Sequence, residues 1–368
     1  MHWSWTCLAA TLVVGSGFPA SAAPLTAATI EAATFTPLPD APGRVAVAEV
    51  VKAEVLLARA GVSPGSIDGI DGDNFRKALR AFQKKVGLPD RGRLDQATWD
   101  RLAGDKAPVL RRYSISAQDV RGPFTRRIPT RFELQSGLER LGYRDIREAL
   151  AERFHLSQRL FAALNPKATL GQKSDIDVPA ADLPVPIGAL GAIVVDKSDK
   201  SVEAFDPSGQ LLAVYPASIG SGEKPAPSGR FEIRRVVRHP DYTYQPKYGF
   251  KGVKAKTPFR IAPGPNNPVG NVWMDLSFEG YGIHGTPEPE QIGKTQSHGC
   301  IRMTNWDAEH LADMAKPGTP VFFQDGADDP LPKVEPSVGS FPGSPSPASQ
   351  PPRPEKAGPA DAASQPKS

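Results

Sequence analysis

The stretch "SHGCIRM", Ser297 to Met303, sets a cysteine directly after a histidine–glycine pair, in a chain of 368 residues with two cysteines in all. Cys300 has four readings: nucleophile, metal ligand, half of a disulfide, or a small buried apolar residue. Upstream, "YGIHGT" (Tyr281–Thr286) places His284 at the end of a predicted strand. A free thiol is mostly protonated at neutral pH, and a nearby imidazole can take its proton to leave a thiolate–imidazolium pair. A loop return can bring His284 to Cys300. His298 lies two residues from Cys300, and in an extended segment such residues point the same way. Gly299 between them permits unusual backbone and frees N–H groups that can stabilise an oxyanion.

Around these stretches, residues 187–325 are β-rich. "GAIVVD", "SVEAF", "LLAVYPASIG", "RFEIRRVV", "NVWMDL", "YGIHG" and "PVFF" are short, often alternating segments parted by Gly, Pro, Asn and Asp. That is the pattern of a sandwich or barrel. One helical segment, "TNWDAEHLADMAK", follows the cysteine.

The amino-terminal residues bear on the disulfide. An apolar run from about Trp5 to Phe18 precedes Pro19 and the small-x-small group Ala20-Ser21-Ala22, the pattern of a cleavable export signal over 1–22. The n-region lacks Lys and Arg, and the run is too short for a membrane span. Cleavage would remove Cys7 and leave Cys300 alone, which excludes an intramolecular disulfide. An unpaired thiol in an oxidising compartment is a liability unless its reactivity is used. The formal net charge of +4 is small for the length and no block of like charge stands out, so nothing points to nucleic acid. No membrane span is expected after cleavage.

Residues 23–44 are Ala/Thr/Pro-rich and read as a flexible lead-in. In 45–105 the positions Phe75, Ala78, Leu79, Phe82 and Val86 form one apolar helical stripe. Val47, Val51, Val55 and Ala58 suggest an earlier helix. Asp95 can cap a third, carrying Trp99 and Leu102. "SIDGIDGDN" is turn chemistry, without the spacing or terminal Glu of an EF-hand calcium loop. The G-x-I-D-G, A-x-x-x-F-Q and T-W-x-x-L elements of this stretch resemble the peptidoglycan-binding three-helix domain. The bland alternative is a helical spacer. In 130–182, Ile146, Leu150 and Phe154 mark one helix, Leu160 and Leu164 another, and "DIDVP" a closing strand. "HLSQRLFAALNP" with the final V-P resembles a degenerate LysM module, a wall-glycan binder, and His155 reads as a packing residue. "ADLPVP" (Ala181–Pro186) is a linker. Residues 326–368 are Pro/Ser/Ala-rich and read as a disordered tail.

Two bland readings of the cysteine remain. A zinc site could use Cys300, His298 and His284, but no Cys-x-x-Cys or His-x-x-x-His spacing supports it. An inert core cysteine fits poorly beside Ser297, His298 and Arg302. His239 and His310 look isolated and structural.

"IHGT…SHGCIRM", with "PAPSGRFEI" and "GPNNPVGNVWMDLS", resembles the signature of the L,D-transpeptidase (YkuD-type) catalytic domain over 187–325. The resemblance implies a multidomain protein: a β-sandwich preceded by the small helical domain and the α+β LysM-like module. It implies Cys300 as nucleophile, His284 as general base, and the Gly285 carbonyl as the group that orients the His284 ring. Ser297, His298 and Gly299 would shape the pocket and its oxyanion donors. Arg302, Thr286 and Tyr281 would border the substrate, Arg302 through a carboxylate. The implied reaction is ping-pong acyl transfer on peptidoglycan. Cys300 attacks the third residue of a tetrapeptide stem, D-Ala leaves, and an amine of another stem or of a wall-anchored protein resolves the thioester. No metal or organic cofactor is implied; glycan strands are implied partners, and carbapenem-type β-lactams implied inhibitors. A carboxypeptidase or endopeptidase on the same fold would use the same residues with water as acceptor. A papain-like enzyme would place Cys before His. A wall-binding scaffold with an inert C-terminal domain is the non-enzyme alternative, and a carbapenem adduct on Cys300 would separate it from the enzymes.

Overall fold

The computed structural model describes residues 25–39, 41–182, 190–222, 224–248, 253–297 and 299–326. The expected leader over 1–22, the tail beyond 326, residues 183–186 of the linker, and His298 lie outside them.

Residues 23–44, expected to be flexible, carry a short helix α1 (Ala27–Glu31). Thr26 and Thr29 form a reciprocal capping box at its start, and Ile30 is wholly buried. Lys52 ties down its end through the carbonyls of Glu31 and Ala33. Leu25, Phe35 and Leu38 pack against the same core, and the Ala/Thr/Pro composition hides these anchors.

Helices α2 (Ala48–Arg59), α3 (Asp73–Lys85) and α4 (Gln96–Leu102) follow as the spacing predicts. Phe75, Ala78, Leu79 and Phe82 of α3 are buried, and full burial of each large side chain contributes roughly 1.5–3 kcal/mol. Asp95 caps α4 by accepting the Thr98 N–H at 2.8 Å. In the Asp-rich turn before α3, Asp71 pairs with Arg76 and Asp68 accepts the Ile70 N–H. Among the described residues no group of three His, Cys, Asp or Glu could hold a metal ion.

The second unit comprises β1 (Leu110–Ser114), α5 (Ala117–Arg121), α6 (Phe132–Gln135), α7 (Ile146–Arg153), α8 (Gln158–Leu164) and β2 (Asp175–Pro179). "DIDVP" is indeed a strand, but it pairs antiparallel with β1, well before residue 130. The paired arginines in "LRRYS" point outward and mask that strand in the sequence. The two N-terminal units also share one core. Val55, Leu79 and Trp99 belong to the same buried cluster as Leu110, Leu150, Phe161 and Ile176.

The C-terminal region holds β3 (Ala192–Asp196), β4 (Ser201–Phe205), β5 (Leu211–Pro216), β6 (Ser218–Ile219), β7 (Gly229–Arg238), β8 (Tyr242–Tyr244), β9 (Phe259–Ile261), β10 (Val272–Leu276), β11 (Gly282–His284), β12 (Ile301–Arg302), helix α9 (Asn305–Met314) and β13 (Pro320–Gln324). Nine strands form one sheet in the order β5-β4-β3-β13-β7-β10-β11-β12-β6. Strands β5 and β6 lie at opposite edges although only Ala217 separates them, so the sheet curls until its edges nearly meet. The long β7 bridges the halves, pairing with β13 through its first residues and with β10 through its last. Between the halves sit Ile193, Val202, Met274, Ile283 and, from α9, Leu311. The sandwich or barrel expected from short alternating strands takes the form of a nearly closed sheet, which leaves few exposed edges.

Candidate active site

Three adjacent strands build the site. In the antiparallel pair β10–β11, Trp273 stands opposite His284, and in the parallel pair β11–β12, His284 stands opposite Arg302. Register partners share a face of the sheet, so Trp273, His284 and Arg302 form a row. Cys300 immediately precedes β12. Gly282 makes the row possible: a Cβ there would meet the Trp273 ring at 2.5 Å. The indole crosses that vacancy and stacks on the His284 ring, with centroids 5.4 Å apart and planes at 25°.

The His284 ring is buried and its Nδ1 lies 2.7 Å from the Gly285 carbonyl. A carbonyl only accepts, so Nδ1 carries the proton and Nε2 presents its lone pair. The Cys300 thiol is half-buried and donates weakly to the Gly280 carbonyl at 3.7 Å.

The turn before Cys300 is internally tied. Ser297 is buried, and its hydroxyl donates a short hydrogen bond to the Cys300 carbonyl while accepting the Gly299 N–H at 3.3 Å. Gly299 has φ of +108°, and a Cβ there would stand 2.9 Å from the Tyr281 ring. Tyr281 in turn packs on Phe278. Arg302 is half-buried and donates to the Gln296 carbonyl, while its Nε is buried without a hydrogen-bond partner among the described residues. Thr286 is buried; its hydroxyl accepts the Glu288 N–H.

Burial dominates the electrostatics. It pushes the Cys300 thiol up to about 11, against the Gly282 backbone hydrogen bond and the charges of Arg302 and Lys224. It lowers His284 to about 4; the Gly285 carbonyl opposes this and Arg302 reinforces it. At neutral pH these shifts favour a neutral thiol and a neutral imidazole at rest. Desolvation outweighs the neighbouring charges, so both groups favour their uncharged forms.

The structure thus gathers Cys300, His284, Gly285, Ser297, Gly299, Arg302 and Tyr281 around the β11–β12 ends, with Thr286 turned into the fold behind them. Sequence reasoning missed Trp273 as the partner of His284. Trp273 has no local signal, because the register of β10 on β11 brings it in.

Residues 191–323 match the family model described as "YkuD: L,D-transpeptidase catalytic domain", and residues 47–102 match one described as "Putative peptidoglycan binding domain". "Putative L,D-transpeptidase YkuD" of Bacillus subtilis is 28% identical over 177 residues, 48% of this chain and 92% of that protein. Its namesake in Bacillus licheniformis is 30% identical over 177 residues, 47% of this chain and 90% of that protein. Among solved structures, L,D-transpeptidase 3 from Mycobacterium tuberculosis aligns at 19% identity and a TM-score of 0.31, over 42% of this chain and 76% of that one. Among the described residues no helix is long and apolar enough to cross a membrane. The chain belongs to the L,D-transpeptidase family, and it is an enzyme of that family with a peptidoglycan-binding domain ahead of its catalytic fold.

Proposed function

We propose that this enzyme is exported to the periplasm or cell wall and cross-links peptidoglycan through a thioester on Cys300, releasing D-Ala from a tetrapeptide stem. The observation that carries the reading is the His284 ring, locked by Gly285 with Nε2 as proton acceptor in the strand beside Cys300.

Cys300 Sγ attacks the carbonyl of the third stem residue as its proton moves to His284 Nε2. The S–C bond forms, the amide C–N bond to D-Ala breaks, and the imidazolium returns the proton to the departing amine. The side-chain amine of a second stem then attacks the thioester, gives up a proton through His284, and restores the thiol. A wall-anchored protein amine fits the same step. Because both resting groups are neutral, proton transfer accompanies attack rather than preceding it. The N–H groups of Ser297 and Gly299 tie the turn down, so the Cys300 backbone N–H is the oxyanion donor of this scheme, with His298 a further pocket residue. Arg302 supplies a positive charge for a stem carboxylate, and Tyr281 borders the substrate. The peptidoglycan-binding domain, and the LysM-like unit if it binds glycan, keep the enzyme on its polymer. Carbapenem-type β-lactams acylate the same thiol.

Purified tetrapeptide muropeptides, incubated with the enzyme and followed by mass, provide the test. Dimers with loss of D-Ala support it. Monomeric tripeptides alone assign a hydrolase, and Cys300→Ala with undiminished turnover would refute the mechanism.

A further inference from the structure

Nothing in the chemistry above needs a residue outside the catalytic fold, yet the peptide that locks His284 is held from outside it. Gly285 C=O and Thr286 N–H belong to one peptide unit, which is planar. The carbonyl receives His284 Nδ1–H at 2.7 Å, and the N–H donates to Asn305 Oδ1 at 3.1 Å. Turning one end of that plane turns the other. Asn305 Oδ1 also accepts the Asn271 N–H at 3.1 Å. It fits only because Gly270 and Gly285 lack side chains: a Cβ on either would stand 2.0 or 2.1 Å from that oxygen.

The Asn305 amide is itself set by what its nitrogen donates to. Nδ2 reaches the Pro265 carbonyl at 3.1 Å and, at 2.8 Å, Oε1 of Glu152. Glu152 lies on α7, in the unit before the linker, and is buried together with Asn305. Tyr143 Oη donates to the same Oε1 at 3.2 Å. We propose that Glu152 is a positioning residue for the general base: through Asn305 it fixes the 285–286 peptide and thereby the orientation and tautomer of His284. This rests on the reading of Cys300 and His284 given above. Burial raises the Glu152 carboxyl to about 8, so at neutral pH it is an uncharged acceptor that glutamine can imitate.

Full-length Glu152→Met and Glu152→Ala remove the acceptor, the former with the volume nearly kept. Their kcat is expected to fall on the order of ten- to a hundred-fold at nearly constant KM, as for a misplaced catalytic group. Iodoacetamide labelling of the Cys300 peptide in the folded protein should slow in parallel, a change that a purely structural role would not produce. Glu152→Gln should restore both. Either acceptor-less variant that folds and keeps the parent kcat and labelling rate overturns the proposal. So does a Gln variant as impaired as they are, and that comparison stands even if neither folds. Cys300→Ala is run alongside: if it is inactive while Glu152→Met is fully active, the positioning role fails and the thioester reading survives. If Cys300→Ala is active, that reading falls.

Discussion

Two regions bury ionisable groups, and they use them in opposite ways. In the row across β10, β11 and β12, burial moves the titrations away from neutral pH, with Cys300 up to about 11 and His284 down to about 4. In the seam between the N-terminal units and α9, burial brings carboxyls toward neutrality, with Glu152 up to about 8 and Asp307 up to about 7. The seam groups are occupied by partners from the other side: Glu152 by Asn305, and Asp307 by Ser63 at 3.0 Å. His155, at positive φ, stacks on Trp306 of α9 across the same seam. The catalytic row instead keeps one ring nitrogen facing the chemistry. Around neutral pH, protons therefore move in the seam while the catalytic pair holds its state. The site keeps its reactivity ready, and the seam carries the pH sensitivity.

The largest break in that comparison is His284→Gln. Loss of the base should lower turnover on the order of a hundred- to ten-thousand-fold, measured on muropeptides with the thermal midpoint as a check on folding. In the parent, the acid limb of kcat/KM should fall near pH 4, where His284 gains its proton, and not near 6.5 as for a free imidazole. A limb at 6.5 would mean that the ring is solvated when it works.

Gly299→Ala comes next. The residue has φ of +108° and the new Cβ would press on Tyr281, so a stability loss of about 1–3 kcal/mol is expected in chemical denaturation. Adding Tyr281→Ala should relieve the contact but not the backbone strain. Full recovery in the double variant would assign the whole cost to the ring.

The smallest effect belongs to the seam. A carboxyl raised in the folded state contributes stability that is fully present below its unfolded value and is lost as pH rises through its folded value. For Asp307 that window runs from about 4 to about 7. Asp307→Asn should therefore lessen the decline in unfolding free energy between pH 6 and 7 by about 1 kcal/mol. Equal slopes in parent and variant would remove Asp307 from the seam's pH response.

Cys300, His284 and their helpers were legible because the motif places chemistry at fixed short spacings, and α3 was legible because its apolar stripe repeats every turn. The Asp95 cap is also a local rule, and it held. The strand Leu110–Ser114 was not legible, since its outward arginines break the alternation and its partner lies far along the chain. The helix around Ile30 was hidden because its five residues are too few to show a periodic stripe in an Ala/Thr/Pro-rich stretch. The ionisation of the resting site was not legible for a related reason: spacing reveals which groups can meet, while ionisation depends on how much water surrounds them.

By itself, then, the sequence determined the family, the periodic helices and the short motif that holds Cys300 and His284, because each rests on residue type and near-neighbour spacing. Tertiary structure alone decided that the sheet nearly closes, that Trp273 stacks on His284, and that Asn305 and Glu152 reach the peptide behind the base. Those contacts join residues far apart in the chain, and only the register of strands and the packing of one unit on another brings them within a hydrogen bond.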